Sequence, residues 1–150
     1  MKRIYQKGFT LIELLVVIAV LGVLAAGVLT AINPLKRINQ AKDSQVKSDV
    51  GQLVQALQAS YTQNQLYPAS TGALQASGDL KSIPVPPTGG FGGLSAYGYV
   101  RSTTCDASSC SAAVWGPMFD SSTYYCWDST NNKFKPTSTT EPTADSPTCP

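Results

Sequence analysis

Residues Phe9–Ile32 read FTLIELLVVIAVLGVLAAGVLTAI, and Glu13 is the only charge among these 24 residues. As a helix the run would be about 36 Å long, against a bilayer hydrocarbon core of about 30 Å. It is therefore expected to cross a membrane. A carboxylate near the middle of a membrane helix costs about 2.5–3.5 kcal/mol. A residue that expensive marks a function, and the reading has to supply its partner.

Two readings of this N-terminus compete. A secretory signal would be cut after Ala26, where small residues cluster at Leu24-Ala25-Ala26. A retained membrane helix would instead carry a short basic leader, Met1–Gly8. Glu13 favours the second, because it interrupts the apolar region a signal needs. The helical pattern also runs on. Ile38, Ala41, Val46, Val50, Leu53, Val54, Leu57 and Tyr61 recur mostly three or four residues apart. The spacing predicts an amphipathic helix over residues 36–64 whose stripe packs on a globular head. Lys42, Asp43, Lys47, Asp49, Gln52, Gln55 and Gln58 fall on the opposite face, with Asp43 and Lys47 as a favourable i,i+4 pair. Asn33-Pro34 stands at the junction, because proline removes a backbone donor and kinks or breaks a helix. A kink at Pro34 within one long helix is expected; two helices joined by a turn are the alternative.

Tyr67-Pro68 ends the helical region, and Gly72–Leu80 has room for a short helical turn. Pro84–Gly93 (PVPPTGGFGG) is a loop by its proline and glycine content. Ala96–Thr103, Ala112–Phe119 and Thr123–Asp128 read as antiparallel strands, with Asn131-Asn132 turning into a fourth around Lys133–Lys135. Pro136–Pro150 is a Thr/Ser/Pro tail held only by Cys149. The expected fold class is α+β. It has a leader over 1–8, a membrane helix over 9–35, an amphipathic half over 36–64 and a small antiparallel β-rich head over 65–150.

Charge and cysteine content narrow the function. The formal charge is +2, and removing residues 1–8 leaves 8 basic against 9 acidic side chains. No broad basic surface is offered, so a dedicated nucleic-acid site is not expected. The chain contains no His, which removes the commonest general base and metal ligand. No nucleophile motif or convergent acid pair is visible, so no enzyme and no cofactor are expected. Cys105, Cys110, Cys126 and Cys149 are an even set outside the apolar run. Their spacing lacks a paired CxxC, which favours disulfides in an oxidising compartment over zinc. Four cysteines allow three pairings; Cys105–Cys110, closing a short turn, and Cys126–Cys149, tying down the tail, are preferred. The cysteines also place the C-terminal part outside. Asp106, Asp120 and Asp128 lack the ligand spacing of a known calcium loop, and solvated turn aspartates are the plainer reading.

Lys7-Gly8-Phe9-Thr10-Leu11-Ile12-Glu13 resembles the class III signal of type IV pilins and type II secretion pseudopilins. Gly8 matches the glycine that ends the basic leader, Phe9 the first mature residue and Glu13 the fifth. This resemblance covers about the first third of the chain. A weaker one continues through LQASYTQNQLYP (residues 57–68) and LKSIPVPP (residues 80–87) toward the major pseudopilin and related short pilins. The chain departs from many pilins in carrying its only helix proline at Pro34. The resemblance implies cleavage between Gly8 and Phe9 by a prepilin peptidase and N-methylation of Phe9. It also implies a precursor in the cytoplasmic membrane with its head outside, and an extracellular pilus or periplasmic pseudopilus afterwards. An assembly ATPase and an inner-membrane platform would act on it indirectly.

The chemistry of such a filament follows from the residues. The cut makes an ammonium at Phe9, and the Glu13 carboxylate of a neighbouring copy is its proposed partner. Pairing relieves two buried charges at once and sets the axial stagger of adjacent helices. Identical head-to-tail contacts generate an open helical filament. Gly22, Gly27, Ala25 and Ala26 permit close helix approach, although such residues are common in any membrane helix. A type IV pilus or pilus-like subunit is the first reading. A secretion pseudopilus subunit is the alternative, together with a membrane-anchored surface binding protein that never polymerises.

Overall fold

A computed structural model describes residues 8–136 and 139–149. The leader segment Met1–Lys7 lies outside the described residues, as do Thr137, Ser138 and Pro150 of the tail. The chain divides into two compact units, one ending at Arg37 and one starting at Ile38.

In the first unit, helix α1 spans Leu11–Ile32. It is long and apolar enough to cross a membrane, and none of its residues is buried. It starts at Thr10, whose hydroxyl caps the helix, and stops at Asn33, in the left-handed region at φ 48° and ψ 77°. Helix α2 then runs Pro34–Asn64. The two-helix alternative is therefore the one realised, joined through a single residue. Its cause is local. Pro34 occupies the first position of α2, where its missing N–H would have had no partner in any case. Asn33 supplies the cap, its Oδ1 accepting from the Lys36 amide at 3.3 Å. Asparagine also tolerates the left-handed backbone that ends α1.

In the second unit, α2 is followed by α3 (Thr71–Ser77) and four strands. These are β1 (Gly98–Arg101), β2 (Ala112–Pro117), β3 (Tyr124–Asp128) and β4 (Lys133–Pro136), in the order β1-β2-β3-β4. All three pairings are antiparallel, with Val114 opposite both Tyr99 and Trp127. The main core joins Val46, Val50, Leu53, Val54 and Leu57 of α2 to Leu74, Tyr97, Ala112, Val114 and Trp127. Strand alternation sends Trp115, Tyr124 and Cys126 to the other face, where they cluster with Cys149. There the Trp115 indole lies against Gly98, leaving no room for a Cβ.

Three expectations change. Ile38 and Ala41 do not join the core stripe; both are exposed. The five residues from Ala41 to Val46 turn the helix about 500°, which puts Ala41 about 140° away from the core face. Asp43 is buried at 6% exposure, not on the solvent face. Both of its carboxylate oxygens accept backbone amides, Phe119 N at 2.7 Å and Asp120 N at 3.4 Å. Lys47, its expected partner, lies over the Tyr125 ring. Finally, the tail is fastened at more than Cys149. Pro142 and Pro147 are buried, the Thr103 amide donates to Ala144 O, and Lys135 Nζ donates to Cys149 O.

The two disulfides are Cys105–Cys110 and Cys126–Cys149. Cys110 Sγ accepts from the Tyr67 amide at 3.4 Å. Arg101 donates to Tyr67 O and the Tyr99 hydroxyl to Pro68 O, at 2.8 and 2.7 Å. Tyr67-Pro68 is thus the point where the chain leaving α2 is tied to β1.

Candidate assembly site

Gly8, Phe9 and Thr10 precede α1 in non-helical conformation and are exposed. A Cβ built on Gly8 would meet nothing within 4 Å, and Phe9 is 87% exposed. Thr10 and Glu13 stand at the two ends of a capping box. The Glu13 amide donates to Thr10 Oγ1 at 3.3 Å. In return, the Thr10 amide and hydroxyl both donate to Glu13 Oε2, at 3.0 and 2.8 Å. Two otherwise unpartnered amides at the helix start are satisfied this way. The carboxylate also sits at the positive end of the helix dipole.

This arrangement gives Glu13 a partner within its own chain. The sequence carried the signal as Thr10-x-x-Glu13 ahead of an apolar run, but reading Glu13 only as a misplaced membrane charge passed over it. Among the described residues, Oε1 of Glu13 accepts no hydrogen bond. Phe9, Ile12, Val16 and Val17 line a shallow recess beside this carboxylate, and Glu13 is the one charge in it. The site is thus a fixed anion on an apolar helix face, with one oxygen committed and one open.

The aspartates of the head are not brought together. Asp106 accepts from the Ser108 hydroxyl and amide and from the Ser109 amide. These bonds hold its carboxyl below the usual carboxylate range. Asp128 is fully buried. Burial works against its charge, but the Asn131 amide and side chain, the Cys149 amide and the Lys135 charge together hold its carboxyl below the ordinary value. It therefore serves as the anchor of the tail. Asp120 is exposed. No group of three or more metal-ligating side chains occurs among the described residues. Sequence reasoning also missed Asp49, which accepts from the Tyr97 hydroxyl at 2.7 Å.

Comparison with known proteins reaches the same end of the chain. The prokaryotic N-terminal methylation motif matches residues 3–29. The chain is similar to the type II secretion system core protein G of Pseudomonas aeruginosa, 35% identical over 105 residues, covering 59% of this chain and 72% of that protein. It is also similar to the core protein G of Klebsiella michiganensis, 37% identical over 84 residues, covering 56% of this chain and 58% of that one.

Proposed function

The chain belongs to the family of the type II secretion system core protein G, and from that premise we propose that it is the structural subunit of a pilus-like secretion filament. The observation that carries this reading is the Thr10–Glu13 capping box, which fixes an anion with one open oxygen on an unburied apolar helix. In the precursor, α1 holds the chain in the cytoplasmic membrane and the disulfide-bonded head lies outside. Cleavage between Gly8 and Phe9 by a prepilin peptidase releases the Phe9 amine, which is then methylated. The incoming subunit presents that ammonium to Oε1 of Glu13 in a subunit already assembled. Thr10 keeps the carboxylate turned toward the helix start throughout. A membrane-excluded ion pair avoids leaving two isolated charges in hydrocarbon. The apolar surface of α1 moves from lipid to neighbouring α1 helices. An ATPase and a membrane platform drive the process from below. The proposed role is structural, with no catalytic step and no cofactor.

A surface pilus is the second reading. Two disulfides and a Ser/Thr/Pro-rich tail with Thr139, Thr140, Thr143 and Ser146 exposed are features suited to a filament outside the cell. Mass spectrometry of the mature protein is expected to show N-methylated Phe9; a start at Met1 or Gly27 would overturn the reading. Glu13→Ala is expected to leave cleavage and insertion intact while filaments disappear, and normal filaments would refute the pairing. Imaging of material sheared from cells separates a long surface pilus from a short periplasmic structure.

A further inference from the structure

The tail PTSTTEPTADSPTCP (residues 136–150) consists mostly of Ser, Thr and Pro. Other groups anchor it. Pro142, Pro147 and Cys149 are buried, the Cys149 amide donates to Asp128 Oδ2 at 3.1 Å, and the Tyr124 hydroxyl bonds to Glu141. Between the two buried prolines the backbone closes a turn. The Thr143 amide donates to Ser146 O at 3.4 Å, and the Ser146 amide to Thr143 O at 3.1 Å. The Thr103 amide holds Ala144 O from outside the turn. Ser and Thr in turns commonly bond the nearby backbone through their hydroxyls. Here the backbone bonds are made without that help. The Ser146 and Thr148 hydroxyls bond each other at 3.1 Å. Thr143 is exposed, and its hydroxyl makes no hydrogen bond among the described residues. Folding therefore assigns that hydroxyl no task.

Thr143 lines a shallow recess of about 170 Å³ together with Thr140, Glu141, Pro142, Ser146 and Thr148. Pockets for drug-sized ligands run to about 300–1,000 Å³, so this one suits a single ring. Hydroxyls and a carboxylate both donate to and accept from an alcohol-rich ligand. Glu141 is the one charged residue lining the recess, and Asp145 lies in the turn beside it. Two carboxylates there disfavour a phosphate-bearing group by like-charge repulsion. A neutral sugar meets no such penalty. Ser/Thr-rich sequence with proline is also the composition of O-glycosylated stalks.

We propose that Thr143 is an O-glycosylation site whose first sugar ring seats on this recess. The disulfides place the head in an oxidising compartment outside the cytoplasm, so the donor is a sugar carried on a membrane lipid through a pyrophosphate. Thr143 Oγ1 bonds to the anomeric carbon as the bond from that carbon to the phosphate oxygen breaks. The electron pair leaves with the lipid pyrophosphate, and the hydroxyl proton passes to a base of the transferase. The assignment does not depend on the filament reading. Mass spectrometry of the full-length protein, purified from the cells that make it, tests it after trypsin releases residues 134–150. Fragmentation is expected to place carbohydrate on Thr143. Thr143→Ala is expected to remove it, and Thr143→Ser, which keeps a hydroxyl, to retain it. An unmodified peptide would overturn the proposal, as would sugar on another hydroxyl with Thr143 bare. Carbohydrate surviving in Thr143→Ala would overturn it too, as would the mass of a phosphate or phosphoethanolamine group in place of sugar.

Discussion

Replacing Asp43 by alanine should destabilise the head far more than a solvent-facing helix aspartate would allow. Asp43 is buried and takes the Phe119 amide at 2.7 Å and the Asp120 amide at 3.4 Å. The first is a short, charge-assisted bond, a class worth about 1.5–3 kcal/mol. The second is too long to add much. Truncation also leaves the Phe119 amide without its acceptor. Phe119 stays attached through Asn39 Nδ2 donating to its carbonyl at 3.3 Å and through Lys42 over its ring at 4.7 Å. The loop should therefore loosen without being lost, at a cost of about 2 kcal/mol. For a head of this size that is a fall in Tm of roughly 6–12 °C. Asp43→Asn keeps a neutral acceptor and should cost about half as much. Lys47→Ala should cost no more than about 0.5–1 kcal/mol, the worth of an exposed cation–π contact. The assay is thermal unfolding of the full-length protein in mild detergent, followed by tryptophan fluorescence. Trp115 and Trp127, the only tryptophans, both lie in the head, so α1 adds no signal. Equal small losses for Asp43→Ala and Lys47→Ala, near 0.3–0.5 kcal/mol each, would refute the reasoning and restore a surface ion pair.

The strands and tail give further tests. Gly98→Ala would push a Cβ into the Trp115 indole and should cost about 1–3 kcal/mol by overpacking, read from chemical denaturation. Removing Cys126–Cys149, at a sequence separation of 23, should cost about 3.5 kcal/mol. Removing Cys105–Cys110, at a separation of 5, should cost about 2 kcal/mol on the same chain-entropy reasoning. The order of the two Tm shifts checks it. Asp128 has a folded pKa below its unfolded value of about 3.9, so its contribution is full above about pH 5 and fades as pH falls through the folded value. Asp128→Asn should flatten the acid limb of stability against pH. Burial, helped by the Asp49 hydrogen bond and charge, raises the Tyr97 phenol, and burial raises Tyr99. Both should stay protonated in an ultraviolet titration of the folded protein at a pH where unfolded tyrosines, which ionise at about 10, have lost their protons.

Local signals were legible along most of the chain. The period of α2 from Val46 onward, the proline and glycine loop and the four short strands all follow from side-chain spacing and turn residues. The class III motif, read from Gly8, Phe9 and Glu13, agrees with the N-terminal methylation match. Thr10 was legible too, since a capping box closes within one helical turn and is written in the spacing of Thr10 and Glu13. Asn33-Pro34 held both outcomes, and cap chemistry at that junction selects two helices.

Other features depend on residues far apart in the chain. Asp43 reads as a polar-face residue because the amides that donate to it, those of Phe119 and Asp120, lie 76 and 77 residues away. Asp128 and the Cys149 amide meet across 21 residues, turning an apparently loose tail into a fastened strap. The sequence by itself determined the apolar helix, its one carboxylate and the α+β class, because hydrophobic period, caps and motif spacing act within a few residues. Only the tertiary structure decided which α2 residues the head covers, since burial depends on where the sheet ends. That end leaves Ile38 and Ala41 exposed and draws Asp43 inward.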